Sequence, residues 1–209
     1  MRPIGRIYAS MDMTKGEQTR QHIIRQAAMV FNQRGFTGSS ISDVMASTGL
    51  QKGGIYRHFA SKEELALASF DYAQAQSTSR LQAAVSAETG AIRQLLAVVA
   101  AFRAITSNPP VPGGCPILNT IVDSDDGDPA LRARVREVVV GWEALIAGIV
   151  EAGLADGSVR AGTDPQVVAA VMVAALEGGI LLSRAHRSTA YFQHVAQHLA
   201  QYIERDIAA

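Results

Sequence analysis

Between residues 14 and 35 apolar side chains return every third or fourth position, placing Ile23, Ala27, Val30 and Phe31 on one helical face. Thr14-Lys15-Gly16-Glu17 has the form of a capping box, in which a hydroxyl and a carboxylate satisfy free amides at a helix start. The pattern predicts a helix that opens at Thr14 and stops at Gly35. A short helix is expected over 40–47, capped by Ser39 or Ser40, with Asp43 favourably placed in its first turn. Gly49 then supplies a tight turn, because glycine adopts a left-handed backbone cheaply. A second short helix is expected over 51–58. Ser61-Lys62-Glu63-Glu64 reads as another capping box, opening a long helix through about residue 79.

Farther along, a helix over 89–106 should end at Asn108-Pro109-Pro110, where proline forbids continuation. Gly113-Gly114 leads into a short segment over 115–122. Asp128-Pro129 and Asp164-Pro165 each set a capping acid before proline at a first helical position, so two more helices start there. A last helix is expected over 191–207. No stretch alternates apolar and polar residues, so the fold class is all-α. The division expected is an arm over 1–13, a helical module over 14–60 and a larger helical body over 61–209. Met11 and Met13 are alternative starts of the chain.

The 209 residues are 48% apolar and 18% charged, which suits a globular chain with a substantial core. The apolar run over 167–176 is ended by Glu177 short of a bilayer span, and residues 1–6 lack the apolar stretch of a secretory signal. Cys115, the one cysteine, excludes an internal disulfide and a cysteine-only metal site within one chain. A soluble, cytoplasmic protein without a membrane partner is the expectation.

Formal neutrality hides an asymmetry. Residues 1–62 hold nine basic groups against three acids, whereas the remaining chain has an equal acidic surplus and no lysine. Such a split suits a polyanion-binding module on a body that avoids polyanions. Two short helices, a glycine turn and this basic setting suggest a helix–turn–helix. Ile41, Val44, Met45 and Leu50 would face inward, and Ile55, Tyr56 and Phe59 would pack the second helix onto its neighbours. Gln51, Lys52, Gly53, Gly54, Arg57 and His58 would then face outward. Gly53-Gly54 costs about 1 kcal/mol of helix stability per residue, but lets the backbone approach DNA closely.

Gly35-Phe36, Ser39-Ser40-Ile41, Asp43-Val44, Gly49-Leu50, Lys52-Gly53, Ile55-Tyr56, His58-Phe59 and Ser61-Lys62-Glu63-Glu64-Leu65 keep an order and spacing that resembles the N-terminal domain of TetR-family regulators. The resemblance spans about residues 17–66 without a gap. Met45 departs from a usual alanine and Gln51 from a common serine, the second bearing on operator preference. The resemblance implies a homodimeric, all-helical transcription factor, usually a repressor. Its helix–turn–helix would grip a double-stranded operator, and its C-terminal ligand-binding and dimerisation domain would take a small-molecule inducer.

By the same resemblance, Ser40 matches the cap at the backbone-facing start of the second helix. Gln51, Lys52, Gly53, Tyr56, Arg57 and His58 match the recognition stretch, and Lys62 a phosphate-contacting lysine. Chemistry divides their labour. Lys62, Tyr56 and His58 suit phosphate, whereas Gln51, Lys52 and Arg57 are long enough to reach base edges. Arg2 and Arg6 in the arm suit a minor groove, unless the arm is only a leader.

In the body, Leu131, Val135, Val138, Trp142, Leu145 and Ile149 form a heptad-like seam. Small residues, among them Ala170, Ala174 and Gly178, mark the next helix. These two helices are expected to meet their copies in a two-fold four-helix interface through Val138, Trp142, Leu145, Ile149, Ala170, Ala174 and Gly178. The alternative is that both are internal core. Phe70, Phe102, Cys115, Leu118, Asn119, Trp142 and Met172 are candidate cavity-lining residues, with core packing as the competing reading for each. Cys115, at an expected helix start, would have a lowered thiol pKa suited to sensing an oxidant or electrophile; a small buried apolar residue is the other reading.

Asp123-Ser124-Asp125-Asp126-Gly127-Asp128 fails as a calcium loop, because Asp128 stands at the sixth position and Arg134 at the twelfth. His194 and His198 lie one turn apart without a following glutamate, and with His186 they are read as surface. No serine–histidine–acid or phosphate-loop pattern supports an enzyme, so no catalytic residue, metal or cofactor is expected. An architectural DNA-binding protein without a ligand is the main competing class; footprinting separates it by its sequence-independent coverage.

Overall fold

The computed structural model describes residues 13–124 and 128–209, and apart from a single bridge between Val159 and Ala208 the described residues contain no strand. The helices are α1 (Lys15–Arg34), α2 (Ile41–Thr48), α3 (Lys52–Tyr56), α4 (Lys62–Ser86), α5 (Ala91–Ser107), α6 (Pro116–Ser124), α7 (Pro129–Asp156), α8 (Pro165–Ala185) and α9 (Ala190–Tyr202), with a π-helical turn at Ile203–Ile207.

Local chemistry accounts for most of these limits. Thr14 and Glu17 close a full capping box on α1, and Ser40 with Asp43 closes one on α2. At Ser61 the box is open on one side. Its hydroxyl accepts the Glu64 amide, but the Glu64 carboxylate takes the amide of Ala60 at 2.6 Å instead of that of Ser61. α4 also runs on to Ser86, past the expected end, because Leu81 and Val85 continue its buried face and nothing breaks the helix. Asp128 and Asp164 cap α7 and α8 ahead of proline.

α8 ends in a six-to-one closure, with the Ser188 amide on the Ser183 carbonyl at 2.9 Å and the Arg187 amide on that of Arg184 at 3.2 Å. The position that glycine normally fills there is Arg187, at φ 50, the one non-glycine residue with positive φ among those described.

One apolar cluster runs through the molecule. Ile23, Val44, Ile55 and Phe59 from the first three helices belong to it together with Leu65, Leu95, Trp142 and Leu176. α1 packs on α4, and α4 continues to α5, so the body and the N-terminal helices share the same long strut.

The α7 seam faces differently from expectation. Leu131, Val135, Trp142 and Ile149 are buried within the protomer, while Val138 and Leu145 are half-buried. The outward side of α7 carries Val140, Ala144 and Gly148 instead. On α8, Ala170 and Ala174 are exposed, Gly178 is half-buried, and Val167, Val171, Leu181 and Leu182 are each between 44% and 54% exposed.

Candidate nucleic-acid interface

The first three helices are fixed by a small buried wedge and a set of short polar ties. Val44 is fully buried, Ile55 and Phe59 nearly so, and Ile41, Met45 and Leu50 pack around them. Thr48 Oγ1 donates to the Val44 carbonyl at 2.8 Å, and Ser47 Oγ to Gln26 Oε1 at 2.7 Å. Gly49 turns the chain in the left-handed conformation at φ 72. The angle between α2 and α3 is thus held by packing on α1 and by that turn.

What α3 presents outward is then determined. Gln51, Lys52, Gly53, Tyr56 and Arg57 are exposed and His58 is partly so. Tyr56 does not pack inward with Ile55 and Phe59: its side chain projects to solvent, and Lys52 Nζ lies 5.8 Å from its ring centroid. The two glycines also differ. A Cβ at Gly53 would meet nothing within 4 Å, whereas one at Gly54 would touch Leu50 Cβ at 3.6 Å. Of the two, Gly53 alone has an open flank.

Ser40 caps α2 and donates to Asp43 Oδ2 at 2.7 Å. The Asp43 carboxyl is held below its usual pKa by bonds from the Ser40 hydroxyl and amide, and further by its ion pair with Arg34. Lys62 has an internal partner that its position in the sequence did not reveal. Its Nζ donates to the Phe36 carbonyl at 2.6 Å and sits 4.1 Å from the Phe36 ring centroid, bracing the start of α4 against the turn after α1. Arg2 and Arg6 lie outside the described residues.

A pair of short helices joined at a left-handed glycine, with amide and cationic side chains on the free face of the second, defines a helix–turn–helix DNA-binding protein. Residues 23–69 match the family described as bacterial regulatory proteins, tetR family, and residues 91–199 match the tetracyclin repressor-like C-terminal domain. The chain belongs to the TetR family of transcriptional regulators.

A TetR transcriptional regulator from Chloroflexus aurantiacus is 42% identical, with a TM-score of 0.91 over 94% of this chain and 99% of that one. A TetR-family regulator from Cytophaga hutchinsonii is 35% identical, with a TM-score of 0.84 over 92% and 96%. The transcriptional repressor DhaR of Mycobacterium sp. (strain GP1) is 27% identical over 81% of this chain and 84% of its own.

The candidate cavity residues of the body do not converge on one space. Phe70 and Asn119 border a small cleft of about 30 Å³ beside α1, and Trp142 borders a groove between α4 and α7. Phe102 packs edge-on against Trp142 at 5.1 Å, and Met172 is fully buried core. Leu118 and Asn119 flank an open groove beside α1 and α8, and Cys115 borders a separate cavity near the end of α8.

Cys115 is also not the activated thiol that its place before α6 suggested. Burial pushes its pKa well up and the charge of Glu177 adds to this, outweighing the amides of Leu118 and Ile117. The thiol instead donates to Glu177 Oε1 at 3.1 Å. Burial raises the Glu177 carboxyl in turn to about 7.

Among the described residues no group of three His, Cys, Asp or Glu side chains is placed to hold a metal ion. His186 stacks on Tyr191 at 4.0 Å, and His194 meets that ring at 6.4 Å. Asp125, Asp126 and Gly127 of the acidic loop lie outside the described residues.

Proposed function

We propose that the protein is a dimeric, ligand-responsive repressor that leaves a palindromic operator when a small molecule binds its C-terminal body. The observation that carries the DNA-binding part is the free face of α3, where Gln51, Lys52, Arg57 and the open flank of Gly53 stand together. Long polar side chains at the front of that helix read base edges, with arginine or lysine suited to guanine and glutamine to adenine. Tyr56, His58, Lys62 and the capped start of α2 at Ser40 hold the backbone.

The dimer part rests on the outward faces of α7 and α8, which pack against each other. Val167, Val171, Leu181 and Leu182 are large apolar side chains left exposed, beside the small Ala170, Ala174 and Gly178 that let backbones come close. By length and composition both helices are apolar enough to cross a membrane, with only 33% and 39% of their most apolar windows buried in the protomer. A second copy covering that face accounts for the same apolarity in a DNA-binding regulator. Val171→Asp is expected to give a monomer in analytical ultracentrifugation and to abolish palindrome binding. A Val171→Asp protein that remains dimeric would remove these helices from the interface.

Selection from a random duplex library is the direct test of the whole reading. One palindrome should emerge, its half-sites about 34–36 Å apart, and enrichment of no sequence would leave only an architectural role. On that operator Lys62→Ala should weaken binding equally for all sequences and lower the salt slope by about 1. A changed sequence preference in that variant would show that Lys62 acts only through the brace on Phe36.

A further inference from the structure

We infer that the half-open cavity between the ends of α5 and α8 and the start of α9 binds a small organic carboxylate, which takes the Arg184 guanidinium away from Asn119. The coupling to DNA release rests on the ligand-responsive reading above; the site itself does not.

The cavity, of about 150 Å³, has Ile105, Ile180 and Cys115 on its apolar side and Arg184, Arg187 and Thr189 among its polar residues. None of the residues lining it is acidic, in a body that otherwise carries the acidic surplus of the chain. Glu177, which accepts from the Cys115 thiol, is not part of the lining. The lining thus offers an anion two arginines and no acid, with the Glu177 carboxyl one contact behind Cys115. The apolar wall favours an organic acid over an inorganic one.

Arg187 makes the stronger case. It occupies the left-handed position that closes α8, at φ 50, where glycine is the unstrained choice. Its guanidinium has no hydrogen bond or ion pair to any described residue, so nothing within the protomer compensates for the backbone cost. Thr189, at the start of α9, likewise makes no side-chain cap bond. Strain retained beside an uncommitted cation is what a ligand contact leaves behind.

Arg184 connects this cavity to the DNA-binding helices. Its guanidinium lies across Gly114, where a Cβ would stand 2.9 Å from Nη1, and it donates to Asn119 Oδ1. Asn119 Nδ2 in turn donates to the carbonyl and Oδ1 of Asn32, on α1, at 2.8 and 2.9 Å. A carboxylate is a stronger acceptor for a guanidinium than an amide oxygen. Capture of Arg184 therefore removes the bond to Asn119 Oδ1 that orients this amide, and weakens the hold of α6 on α1 that its Nδ2 provides.

The test uses the intact dimer, with butyrate and benzoate as probes and chloride and inorganic phosphate at matched ionic strength as controls. Calorimetry should show saturable binding of the carboxylates and none of the controls. Arg187→Gly should leave the melting temperature unchanged or raise it by about 2–4 °C. The same change should weaken carboxylate binding ten- to a hundredfold, roughly the loss of one charge-assisted contact. Asn119→Ala should bind carboxylate but no longer pass the effect to the selected operator.

Equal binding by wild type and Arg187→Gly, or no binding of either acid, overturns the site. Arg187-dependent binding without operator release upholds the site and counts against the ligand-responsive reading. Release by some other molecule while Arg187→Gly binds the acids normally does the reverse.

Discussion

Gly113→Ala is expected to destabilise the protein by more than about 4 kcal/mol, seen as a fall in melting temperature on the order of 10 °C. Gly113 has φ 118, and a Cβ there would stand 2.4 Å from the Asn32 carbonyl oxygen and 2.6 Å from its carbon. Backbone atoms cannot swing aside as a side-chain tip does, and here they are pinned from both directions. Asn32 Nδ2 donates to the carbonyls of Pro112 at 3.0 Å and Gly114 at 3.1 Å, and Asn119 Nδ2 donates to that of Gly113 at 2.9 Å.

Relief of the clash thus breaks part-buried hydrogen bonds that tie the Gly113 segment to α1 and α6, each costly to leave unmade. Gly157 provides the control. It too has positive φ, 79, but a Cβ there meets nothing within 4 Å, so Gly157→Ala should cost only about 1–2 kcal/mol. Thermal unfolding followed by circular dichroism compares the two. Similar melting temperatures would mean that the junction yields easily.

The second large effect is a pH dependence located at Glu177. Its carboxyl has been raised from 4.5 to about 7 by burial, so the folded state keeps the proton over a range in which the unfolded chain has lost it. Stability must therefore fall as pH rises from 4.5 to about 7, and stay at the lower level above that. The difference between those values corresponds to about 3 kcal/mol.

Glu177→Gln retains an oxygen for the Cys115 thiol and removes the buried charge. The variant should melt on the order of 5–10 °C above wild type at pH 8 and close to it at pH 5. A variant no more stable than wild type at pH 8 would show that the charge is compensated within the native state.

What the sequence disclosed and what it withheld follow the range of the forces involved. The caps at Thr14, Ser40, Asp128 and Asp164 and the turn at Gly49 were legible because each is settled within four residues. The outward set on α3 was legible for a related reason, since Ile55 and Phe59 fix which side of a short helix must be inside. Tyr56 was misplaced because its ring fits either side and only the packed neighbours decide. The exposed side of α7 was not legible because both of its sides are apolar, one with large residues buried in the protomer and one with Val140, Ala144 and Gly148. Heptad spacing marks a buried stripe but not what buries it.

The partner of Cys115 is the Glu177 carboxyl, and the partner of Lys62 is a backbone carbonyl at Phe36. Neither pairing has a local signature. The closure of α8 at Arg187 went unseen for a further reason, that the glycine which usually announces such an end is missing.

Leu65, Ala66 and Phe70 near the start of α4 lie in the same apolar mass as Ile23 and Phe31 on one side and Leu95 on the other. Among the described residues no seam exists at which the helix–turn–helix head parts from the rest without exposing oily surface to water. Its rigidity is borrowed from the body, so damage that melts one half silences the other.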